Sequence, residues 1–156
     1  MKKWVILIVF SLLSFVYVYS QNLNERIDEN KFIRLDSENN TIKWVLIDGY
    51  EELKYGNNWK LLAAFTDEYG IINRFMYQKS YESEIEVLNT FTNLINYFQE
   101  LNFSDITIGN INNILTVLSI NQNCNYYIYL TPILSCCHNY LILQISSERL
   151  MDFTEK

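Results

Sequence analysis

Proline occurs once in the 156 residues, at Pro132, and glycine only four times. So few glycines leave no room for the loops that cradle phosphates. Neither a P-loop nor a dinucleotide glycine pattern occurs, and there is no G-x-S-x-G elbow for a nucleophilic serine. Histidine occurs once, at His138. Cysteine occurs three times, all in the C-terminal third, as Cys124, Cys136 and Cys137. There is no internal repeat and no linker-like stretch, so the length points to one domain.

The N-terminus is the exception to this even composition. Met1-Lys2-Lys3 precedes an apolar run from Trp4 to Tyr19, and Val18-Tyr19-Ser20 ends on a small residue. That pattern predicts a secretory signal peptide over residues 1–20, and a secreted or periplasmic protein starting at Gln21. The alternative is an uncleaved anchor over residues 4–19, the only route by which a membrane becomes a partner. The run falls short of the roughly 20 apolar residues of a bilayer span, which favours cleavage. Lys2 and Lys3 leave with the signal. Ten of the 12 basic residues then remain beside 18 acidic ones, a formal charge of −8. Such an acidic surface excludes nucleic acid as the expected partner.

Residues 21–40 read as a polar arm or a short helix, and 41–156 as a single domain. From Thr41 the period is two. Thr41 to Ile47, Tyr50 to Tyr55, Trp59 to Thr66 and Ile71 to Gln78 read as a meander, with Asp48-Gly49 as its first tight turn. Ser83 to Leu101 then predicts a long helix. Ser83 and Glu86 form a capping box, and Ile85, Leu88, Phe91, Leu94, Ile95, Phe98 and Leu101 form one apolar stripe. That stripe is expected to sit on the strand containing Ala63-Ala64. Ile111, Ile114, Leu115 and Leu118 give a second, shorter helical stripe. Tyr126 to Thr131 and Tyr140 to Ile145 read as a strand pair, with Pro132 disrupting the first. Ser146 to Lys156 reads as a charged tail or a short helix. The expected fold class is α+β: an antiparallel meander, a long helix, a shorter helix and a C-terminal strand pair, the helices on one sheet face.

Three constellations bear on function. Cys124 with Cys136 or Cys137 closes a loop of about a dozen residues, a disulfide that an oxidising compartment allows. A bridge between Cys136 and Cys137 themselves is strained by their adjacency. Cys136-Cys137-His138 lacks the spacing of structural zinc sites, so neither metal nor cofactor is expected. His138 is the first place to look for catalysis, because imidazole titrates near neutral pH. The aromatic residues Trp44, Trp59, Tyr127 and Tyr129 are the binding candidates, since such rings combine area with a polar handle. Tyr127 and Tyr129 share one strand face. Asn39-Asn40-Thr41 and Asn102-Phe103-Ser104 are glycosylation sequons. The leading expectation is an exported, non-enzymatic binding domain for an unidentified protein or small ligand. The alternatives are a small secreted hydrolase-like enzyme centred on His138, and a membrane-anchored partner protein.

Overall fold

The computed structural model describes residues 23–38, 40–47, 54–55, 58–100, 105–121, 126–135 and 137–156. The signal segment 1–20, the Asp48-Gly49 turn, residues 50–53, Cys124, Cys136, Asn39 and the 102–104 sequon lie outside these residues.

Among the described residues the chain forms ten strands and one helix. Before the helix come β1 (Phe32–Glu38), β2 (Thr41–Leu46), β3 (Lys54–Tyr55), β4 (Trp59–Thr66) and β5 (Ile72–Tyr81). The helix α1 spans Glu84–Glu100. After it come β6 (Asp105–Ile111), β7 (Ile114–Asn121), β8 (Tyr126–Leu134), β9 (Asn139–Ser146) and β10 (Phe153–Glu155). All pair antiparallel in one sheet, ordered β1-β2-β4-β5-β9-β8-β7-β6-β10, with β3 on β4 off that path. The expected α+β class is overturned: the protein is mostly β, one sheet with one helix on it. Two four-stranded meanders meet at a β5–β9 seam, where Tyr81 pairs with Asn139 and Arg74 with Ser146.

The expected second helix is the β6–β7 hairpin. Ile111 pairs with Ile114, and Asn112 and Asn113 between them have φ of 51° and 65°. Two consecutive left-handed residues make the turn that matches strand twist in a two-residue hairpin. Ile106, Thr107, Ile108, Thr116 and Val117 then follow the preference of β-branched side chains for strands. Every positive-φ residue other than glycine among the described ones is an asparagine: Asn24, Asn40, Asn58, Asn112 and Asn113. Asparagine tolerates this region because its short amide bonds locally. It performs the turn duty that the scarce glycines leave open.

Other expectations shift for local reasons. Pro132 does not disrupt β8; it pairs with Leu141 inside the strand. The β7–β8 ladder stops at Leu130, so Pro132 lies where β8 has one hydrogen-bonded neighbour and its missing N–H costs no ladder bond. The N-terminal arm forms no helix over 23–38 but is stitched to the start of β5. Asn24 N–H donates to the Ile72 carbonyl at 2.8 Å, and Ile72 N–H donates to that of Glu25 at 2.8 Å. The C-terminal tail is a strap rather than a helix. It crosses the sheet and adds β10 to β6, with Phe153 opposite Ile111.

The helix forms where expected, but its phase differs. Val87, Phe91 and Phe98 are buried, Leu94 and Ile95 half-buried, while Ile85 is 69% exposed and Leu88 44%. The helix packs over β8, β9 and β5 rather than chiefly on β4 with Ala63-Ala64. Glu86 N–H donates to Ser83 Oγ at 3.3 Å, as a capping box requires. The Glu86 carboxylate instead accepts from the Glu82 amide, at 3.1 Å. Under the helix lie Leu61, Phe75, Tyr77, Ile128, Leu130, Leu141, Leu143 and Ile145.

The core holds one polar anchor that a variant can test. Trp44 Nε1–H donates to Thr66 Oγ1 at 2.9 Å, and Thr66 is fully buried. Thr66→Val keeps the shape and removes the acceptor. Leaving a buried indole N–H without a partner is expected to cost about 1–3 kcal/mol in urea denaturation.

Candidate functional site

A cleft of about 390 Å³ opens at the end of the seam. Three elements build it. β5 contributes Gln78, Ser80 and Tyr81; the approach to α1 contributes Glu82; the β8–β9 turn and the start of β9 contribute Cys137 to Tyr140. Antiparallel register puts Ser80 opposite Tyr140 and Tyr81 opposite Asn139. Residues far apart in sequence thereby share one wall.

The turn is fixed by Ser135. Its backbone N–H donates to the His138 carbonyl at 3.1 Å and its hydroxyl donates to the same oxygen at 2.9 Å. The His138 N–H donates back to Ser135 Oγ at 3.0 Å. This reciprocal clamp is the side-chain form of a tight turn. It holds the exposed His138 at the cleft. The imidazole has no hydrogen-bond partner among the described residues. Gln78 Nε2–H donates to Ser80 Oγ at 3.2 Å.

The chemistry of the floor is unusual. Four buried side-chain polar atoms lack a hydrogen-bond partner among the described residues: Tyr81 Oη, Asn139 Oδ1, Tyr97 Oη and Gln144 Oε1. Tyr81 and Asn139 line this cleft and are cross-strand partners. Burial pushes the Tyr81 phenol up, and Thr90 offsets part of that shift. The hydroxyl therefore stays protonated at neutral pH, able to donate or accept. A buried polar group without a partner normally costs free energy, so each one asks for an explanation.

The binding candidates lie elsewhere. Trp44 and Trp59 are each 7% exposed, in the core beneath the helix. Tyr127 and Tyr129 do share the face opposite the helix. Tyr129 is fully buried there, its hydroxyl accepting from Leu150 N–H at 2.7 Å and its ring edge-on to Phe153 at 5.7 Å. Tyr127 is half-buried beside it. The four rings do not converge on one exposed surface. Cys137 is exposed at the cleft; the expected disulfide also involves Cys124 and Cys136, outside the described residues. No group of three or more His, Cys, Asp or Glu side chains among the described residues is arranged to hold a metal ion.

Of the cleft residues, sequence reasoning reached only Cys137 and His138. Gln78, Ser80, Tyr81, Glu82, Asn139 and Tyr140 carry no local signature. They become a site only through the β5–β9 pairing. No family model, curated protein or solved structure matches the chain. Among the described residues no helix is long and apolar enough to cross a membrane.

Proposed function

We propose that the chain is an exported, non-enzymatic binding domain whose ligand site is the cleft at the end of the β5–β9 seam. Export rests on the charged, apolar and small-residue pattern of residues 1–20. Intact mass of the exported protein tests it, with Gln21 expected as the first residue. A retained 4–19 segment would support the anchored alternative instead.

The observation that carries the binding reading is the pair of unpartnered atoms, Tyr81 Oη and Asn139 Oδ1, in one cleft. A site that keeps polar groups unsatisfied gives up stability that a ligand restores. Tyr81→Phe removes one such group and is expected to stabilise the unliganded protein by about 1 kcal/mol in chemical denaturation. A loss of about 1–3 kcal/mol would mean that the hydroxyl is bonded within the protein, and would sink this reading.

A second reading has its own support. His138 shares the cleft with Glu82 and Ser80, which a hydrolase-like site requires from distant sequence. It predicts a hydrolytic activity that His138→Ala abolishes, measured on ester and amide substrates. Retention of that activity in His138→Ala would exclude it.

A further inference from the structure

We infer that the cleft takes a neutral saccharide, an assignment that rests on the binding reading above. The argument begins with charge. No Lys or Arg lines the cleft, and its one carboxylate is Glu82. An anionic ligand would meet a like charge with no counter-ion. Acceptors dominate what remains. Asn139 Oδ1 is unpartnered, Glu82 is an acceptor when ionised, and Gln78 spends its amide N–H on Ser80 while its carbonyl remains. A fitting ligand must therefore bring several hydrogen-bond donors without a negative charge. Sugar hydroxyls do this, and Tyr81 Oη can answer them as donor or acceptor.

The apolar part of the site agrees. Tyr140, half-buried on β9, adds an aromatic ring to the otherwise polar wall. A ring of this kind combines apolar area with a polar tip, matching the alternating C–H and O–H faces of a pyranose. A cation needs either several carboxylates or a cage of rings, and the cleft has one acid among neutral amides. The volume is at the lower end for small-molecule pockets, which suits one or two sugar rings. Tyr81 Oη and Asn139 Oδ1 are shielded from water. The ligand must therefore shift the 137–138 turn away from the β5–α1 corner to reach them. The turn is the mobile wall in this mechanism, and the seam is the fixed one.

The test is an amide NMR titration of the purified protein with glucose, galactose, N-acetylglucosamine and cellobiose, and separately with putrescine. At least one sugar is expected to shift the Gln78, Ser80, His138 and Asn139 amides, with millimolar affinity. Tyr140→Ala and Gln78→Ala, at positions away from the helix-side core, are each expected to weaken that sugar roughly tenfold while the rest of the spectrum is unchanged. Putrescine shifting these amides when no sugar does would overturn the saccharide assignment and leave the binding reading standing. No shift with either probe overturns the assignment, and if Tyr81→Phe is also destabilising, the binding reading falls with it. Sugar shifts that survive both variants place the sugar elsewhere and overturn the assignment as well.

Discussion

Phe91→Ala is expected to destabilise the protein by about 3–5 kcal/mol, the usual range for deleting a buried aromatic ring. Phe91 is 8% exposed at the middle of α1, between Val87 and Phe98. It belongs to the same core as Leu141, Leu143 and Leu130. These side chains come from both meanders. Removing the ring therefore opens a cavity over the seam, where neither half of the sheet can collapse to fill it alone. Urea denaturation measures the loss. Ile85→Ala is the control, because Ile85 is 69% exposed, and should change stability by less than about 0.5 kcal/mol. The contrast also tests the helix phase, since the sequence stripe included Ile85 and omitted Val87.

Gly109→Ala is expected to cost about 1–3 kcal/mol by overpacking, through a different part of the molecule. A methyl group at Gly109 would overlap the Phe153 ring and the Thr154 carbonyl. The backbone of β10 runs too close to β6 for any side chain there. The least costly response is for the strap to lift. That exposes Phe153 and Leu150 and takes the Leu150 N–H from the Tyr129 hydroxyl. It also removes Asp152 from the neighbourhood of Arg74, whose guanidinium stacks 3.8 Å above the Phe65 ring. Hydrogen exchange should show faster exchange at 150–156 than in the parent protein, with β4 and β5 unchanged. Uniformly unchanged protection would mean that the strap accommodates the methyl group without lifting.

Local signals in the sequence were legible to the extent that they were local. Trp59 to Thr66 is the strand β4 at the residues expected. Ser83 to Leu101 differs from α1 by one residue at its start, and its last residue lies outside the described ones. The Ile111 to Leu118 stripe misled because spacings of three and four also arise when two strands fold back through a two-residue turn. The decisive residues there were Asn112 and Asn113, whose left-handed tolerance outweighs the apolar spacing. β1 was missed because it is an edge strand with six of seven residues exposed, so its apolar signal is weak. The candidate site was legible only at His138 and Cys137. Its other wall depends on β5 finding β9, and nothing in either segment names the other.

That seam has a consequence in time. The partners joined at β5 and β9 are separated by the helix and three further strands. Each meander is made of neighbouring strands and can form quickly on its own, whereas the seam needs a long loop to close first. Until β9 arrives, β5 is a ten-residue open edge beside Phe75 and Tyr77, able to pair with another chain. Refolding is therefore expected to be slow for the protein's size and to lose yield as concentration rises. Variants that weaken the seam should aggregate before they unfold at equilibrium.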